Sequence, residues 1–111
     1  MRLFKPAKAV IFLDENLEKA FNSLPEDDIL KKSIKRAIFD LKENAFCGER
    51  IRKELIPKEY IKKYKIDNLF WYSLSKDCRL IYSIIADRVE IIAAIVEYFS
   101  NHKDYERRFK Y

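Results

Sequence analysis

The chain has 111 residues, which on a scale of about 100 to 200 residues per domain leaves room for a single domain over 1–111 and excludes a multidomain enzyme. With 49% apolar against 37% charged residues it has the apolar surface a core needs, and a net charge of +5 favours polyanionic partners. The longest apolar runs, such as Ile91 to Val96, fall far short of the roughly 20 residues of a membrane span, and no signal peptide opens the chain, so a cytoplasmic protein is expected.

Lys8 to Leu13 is a short apolar run between Pro6 and Asp14 that suits a buried strand. Asp14 can cap a following helix, in which Leu17, Ala20, Phe21 and Leu24 share one stripe before Pro25 ends it. Glu26, Asp27 and Asp28 then place three acids in the first turn of a second helix, with Leu30, Ile34, Ala37, Ile38 and Leu41 as its stripe. Gly48, the one glycine, lies just past Asn44, where that helix is expected to have ended.

Residues 50–65 carry seven bases and two acids, a surplus equal to the net charge of the whole chain. This stretch reads either as a solvated connection with a short helix or as a nucleic-acid face, because tyrosines interleave Lys58, Lys62, Lys63 and Lys65. From Asn68 the pattern changes to period two, giving strands over 69–75, 78–85 and 89–98 with tight turns around Lys76 and Asp87. Such short links admit only antiparallel neighbours. The polar tail from Ser100 reads as a short surface helix.

The expected architecture is therefore α+β: an N-terminal strand and a helical hairpin packed on a mostly antiparallel four-stranded sheet, with a short C-terminal helix. A turn centred on Lys76 sets Ser73 opposite Arg79 and Trp71 opposite Ile81, and leaves Phe70, Tyr72, Leu80, Tyr82 and Ile84 on the face that meets the helices. An arginine amid apolar neighbours is costly to bury, so the Arg79 face is expected to be open. There Arg79 either meets an anion, or merely snorkels or pairs with Glu97. The last strand returns toward the start of its neighbour, which brings His102, Tyr105, Arg107 and Arg108 near Arg79. Guanidinium groups and proton carriers are what phosphodiester cleavage requires. Cys47 and Cys78 have no framework spacing and read as two buried thiols, and one histidine without a Cys-x-x-Cys leaves too few ligands for zinc. Neither metal nor cofactor is expected.

The phrases Leu55-Ile-Pro-Lys-Glu-Tyr60, Asn68-Leu-Phe-Trp-Tyr-Ser-Leu74, Cys78-Arg-Leu-Ile-Tyr82 and His102-Lys-Asp-Tyr-Glu-Arg-Arg-Phe109, in this element order, resemble the RelE/ParE toxin superfamily, in particular the RelE-like branch often met in archaea. The resemblance implies a type II toxin that cuts mRNA in the ribosomal A site, inhibits translation and is neutralised by an antitoxin protein. It implies that Arg79 holds the scissile phosphate and that Tyr105 is the tail tyrosine, with Arg107 or Arg108 loosely matching a tail arginine. Attack by a ribose 2′-OH, giving a cyclic phosphate without metal, is the reaction implied, and it restricts the substrate to RNA. One departure is that Trp71 and Ser73 occupy strand positions beside Arg79 where lysines work in the best-studied branch. Either His102 and Lys76 take over, with Trp71 stacking a base, or catalysis is weak. Two other readings stand beside this one. The first is a non-nuclease member of the fold, a topoisomerase poison or an inactive antitoxin-bound repressor. The second is a single-strand RNA-binding module that stacks bases on Tyr60, Tyr64 and Trp71.

Overall fold

The computed structural model describes residues 5–74, 78–87 and 90–99. Strand β1 (Ala9–Phe12) leads into helices α1 (Glu15–Ser23) and α2 (Ile29–Glu43), followed by β2 (Glu49–Arg50), a 3-10 turn at Lys53–Leu55, helix α3 (Lys58–Tyr64), and strands β3 (Phe70–Ser73), β4 (Arg79–Asp87) and β5 (Glu90–Phe99). The strands form one sheet in the order β1-β5-β4-β3-β2, with β1 parallel to β5 and every other pair antiparallel. The architecture is α+β, as expected, but the sheet has five strands rather than four. The extra one, β2, is two polar residues long and leaves no period-two signature. The expected C-terminal helix falls outside the described residues.

Local chemistry sets the helix ends. Asp14 Oδ1 accepts from the amides of Asn16 at 2.8 Å and Leu17 at 3.4 Å, which starts α1. In α1 Phe21 is buried and Leu17 half-buried, whereas Ala20 is exposed and not part of the core stripe. Helix α2 starts later than the acid run suggests: Asp28 is its cap, accepting from the Lys31 amide at 3.1 Å, and Glu26 and Asp27 precede it. Glu26 instead receives the Nζ groups of Lys31 at 2.8 Å and Lys35 at 2.7 Å. Lys31 is buried and also donates to the Leu24 carbonyl at 2.9 Å, so one ammonium closes the link between the two helices.

The buried stripe Ile34, Ala37 and Leu41 of α2 packs on Phe70, Leu80, Tyr82, Ala93 and Ile95, the sheet face expected to meet the helices. The opposite face is not open throughout. Ile51, Ile56 and Tyr60 from the basic segment, with Ile66 just after it, cover Leu69, Ile81 and Val96 in a second core, because this stretch interleaves apolar residues with its charges. A β-bulge helps: Ile81 pairs with Glu97 but Tyr82 with Ile95, so Val96 is the extra residue and joins the second core. Asp87 pairs with Glu90, which makes it the last strand residue rather than the centre of its turn.

Gly48 does not cap α2, which ends at Asn44, and its φ is not positive. A Cβ there would lie 2.6 Å from the Trp71 carbonyl oxygen and 2.8 Å from the Tyr82 hydroxyl, so close approach of β2 to the sheet is what requires glycine. Cys47 and Cys78 are unbridged and half-buried rather than buried. Among the described residues no helix is long and apolar enough to cross a membrane.

Candidate functional site

The β3/β4 register is the one derived from the turn position: Ser73 lies opposite Arg79 and Trp71 opposite Ile81, all on the face away from α1 and α2. Trp71 and Arg79 are thus diagonal neighbours, within reach of two long side chains. The guanidinium carbon of Arg79 sits 4.0 Å from the Trp71 ring centroid, a close cation–π stack. Burial falls along β4 toward this end: Ile81 is fully buried, Arg79 half-buried, and Ser73 across the ladder is exposed. The cover formed by residues 51–66 therefore thins out where Arg79 begins. On the far edge of Trp71, β2 places Glu49 in register with it.

Of the residues singled out in the sequence, Arg79, Trp71 and Ser73 are brought together. Lys58, Lys62, Lys63 and Lys65 are exposed on α3 and its C-cap, on the layer that covers the same sheet face. Lys65 ends the helix with φ 54°, a left-handed conformation uncommon for a side chain with a Cβ. His102, Tyr105, Arg107, Arg108 and Lys76 lie outside the described residues.

Lys63 is the most constrained of the four lysines. Its Nζ lies 3.6 Å from Asp14 Oδ2 and 5.2 Å from the Tyr64 ring centroid, and bonding to Tyr64, then the Asp14 charge, raises its pKa and keeps it cationic. The amides that Asp14 caps, that of Asn16 foremost, hold its carboxyl below the usual range. Asp14, Glu59, Tyr60, Lys63, Tyr64 and Glu97 line a cleft of about 260 Å³ beneath α3, where the Tyr60 hydroxyl donates to Glu97 Oε2. Among the described residues no cluster of three or more His, Cys, Asp or Glu side chains could hold a metal ion.

Sequence reasoning missed Arg36. From α2 it donates to the Leu74 carbonyl at 2.8 Å and lies 5.9 Å from the Tyr72 ring centroid, so a second guanidinium braces the end of the hairpin from the helical side. Its position between apolar stripe residues gave no sign of a partner in β3. Tyr72 in turn donates to Asp40, and burial first, then that bond, pushes its hydroxyl pKa up, so it stays a neutral donor. Comparison of the chain with protein-family models, curated proteins and solved structures finds no match.

Proposed function

We propose that the chain is a RelE-like toxin of a type II toxin–antitoxin pair, a cytoplasmic, ribosome-dependent mRNA endoribonuclease that inhibits translation. The observation that carries this reading is the half-buried Arg79 guanidinium seated on Trp71 at the end of a sheet face where the cover formed by residues 51–66 thins out. The sequence phrases quoted above support it independently.

In the proposed reaction a ribose 2′-oxygen attacks the adjacent phosphorus. The new 2′-O–P bond forms as the P–O5′ bond breaks, one proton leaves the 2′-OH and another reaches the departing 5′-oxygen, and a 2′,3′-cyclic phosphate results. Arg79 has the charge and fork geometry to stabilise the oxygens on which negative charge grows. His102, Tyr105 and Lys76 are the candidate proton carriers. The exposed lysines of α3 supply sequence-independent attraction to phosphates and a salt-dependent affinity. The partner proposed for neutralisation is an antitoxin with an acidic, amphipathic segment.

Arg79→Ala tests the reading. The variant should lose growth arrest on expression and codon-phased mRNA cleavage on programmed ribosomes. Its stability in urea unfolding should change by no more than about 1 kcal/mol, the worth of one half-exposed stack. Full toxicity in a folded Arg79→Ala protein would remove the site. The absence of a lysine at positions 71 and 73 favours one second reading, a non-nuclease member of the fold that poisons a topoisomerase or acts as a bound repressor. Primer extension after induction separates the two, because only the nuclease leaves phased breaks.

A further inference from the structure

We infer that Trp71 is a positioning residue for Arg79, holding the guanidinium so that its N–H edge, not the indole, meets the nucleic acid as a phosphodiester clamp. This rests on the proposed RNA-cleaving reading and assigns the role of a residue at that same site. Trp71 is itself fixed. It lies between Glu49 of β2 and Ile81 of β4 in the sheet and packs against the second core. Arg79 lies over its ring with the guanidinium carbon 4.0 Å from the centroid.

A guanidinium has two separable binding surfaces. Stacking uses its flat face, and its donors point outward in the plane, in the fork that matches a phosphate. An indole and a phosphate can therefore be engaged at once without competing. The indole restricts the rotamers of Arg79 in the unliganded protein, so the freedom a long side chain must otherwise surrender on binding is already lost. A nucleobase stacking on this ring face would instead have to displace Arg79. The clamp is consequently indifferent to base identity, which suits a phosphate held in varied sequences.

The test uses the full chain and a short, labelled single strand of 2′-O-methyl RNA, which lacks the attacking hydroxyl, with affinity read by anisotropy. Trp71→Phe, which keeps an aromatic face, should bind within about 3-fold of wild type, and Trp71→Leu should weaken binding by about 5- to 30-fold. In an Arg79→Ala background Trp71→Leu should have no further effect, a coupling that a merely structural tryptophan would not show. Because Trp71 is the one tryptophan, its emission gives a second reading that needs no variant at position 71. Inorganic pyrophosphate should shift emission in wild type and leave Arg79→Ala unmoved. Unchanged binding by Trp71→Leu overturns the inference. So does an equal loss with and without Arg79, which would assign the indole a direct contact with a base.

Cleavage on programmed ribosomes keeps the two claims apart. Coupling between positions 71 and 79 without any cleavage by wild type would leave the clamp standing and remove the nuclease. Arg79-dependent cleavage at full rate by Trp71→Leu would do the reverse.

Discussion

Gly48→Ala should be among the most damaging single-methyl additions in this molecule, and the reason is geometric. The new Cβ would sit 2.6 Å from the Trp71 carbonyl oxygen, 2.8 Å from the Tyr82 hydroxyl and 2.9 Å from its ring. Neither neighbour can retreat. The carbonyl belongs to β3, and Tyr82 is fully buried, stacked on Phe70 at 5.3 Å, with its hydroxyl donating to the Ala45 carbonyl at 2.7 Å. That hydroxyl also accepts from the Gly48 amide at 3.0 Å, so displacing this segment breaks that bond as well as straining the pairing of β2 with β3. Overpacking of about 1–3 kcal/mol and about 1 kcal/mol for the lost bond outweigh the 0.4–1 kcal/mol or so that alanine gains by restricting the unfolded chain, for a net loss of about 2–3 kcal/mol. With a urea slope of about 1.5 kcal/mol/M the midpoint should fall by roughly 1.3–2 M. Tyr82→Phe should cost about 1–3 kcal/mol through the orphaned Gly48 N–H and Ala45 C=O. It should not rescue Gly48→Ala, because the clash with the Trp71 carbonyl remains. A Gly48→Ala protein within about 0.5 kcal/mol of wild type would refute the reasoning.

Asn68→Ala should cost about 2–3 kcal/mol in urea unfolding. Its amide accepts from the Ile84 N–H at 2.8 Å and the buried Ser83 hydroxyl at 3.1 Å and donates to the Ile84 carbonyl at 3.0 Å, work that would otherwise need another strand residue. Acid should expose the role of Glu26. Its bonds to Lys31 and Lys35 lower its pKa from 4.5 to about 2, so its contribution is full above about 4.5 and fades as pH falls toward 2. Thermal unfolding should therefore weaken more steeply over that window in wild type than in Glu26→Gln, and parallel curves would contradict the assignment.

What the sequence disclosed follows from which interactions are local. The register of β3 on β4 was legible, though not the strand ends, because placing a short turn at Lys76 already paired Trp71 with Ile81 and Ser73 with Arg79. The stripe of α2 was legible because Ile34, Ala37 and Leu41 repeat at helical spacing. Contacts between distant segments were not. The Glu26 carboxylate reads as a helix-dipole acid until Lys31 and Lys35 are seen to fold back on it. Gly48 reads as a helix stop until the approach of Trp71 and Tyr82 shows what it makes room for. The stack of Arg79 on Trp71 lay one step from the derived register, since diagonal neighbours follow from it, but which aromatic face the arginine takes depends on packing around the indole.

The basic segment is the clearest case of a charge run concealing a second function. Counted as charge, residues 50–65 are a strongly basic strip, and counted as hydrophobes they are part of the second core. Both descriptions hold because a 3-10 turn and a two-turn helix sort them by side: Ile51, Ile56 and Tyr60 go down onto Leu69, Ile81 and Val96, while Lys58, Lys62, Lys63 and Lys65 stay in water. Where this cover stops is as consequential as where it lies. Had it reached one strand pair further, Arg79 would have been sealed among apolar neighbours, a position no guanidinium tolerates without a paired anion. Ending beside Trp71, it leaves the arginine half-buried and supported from one side by an aromatic plate.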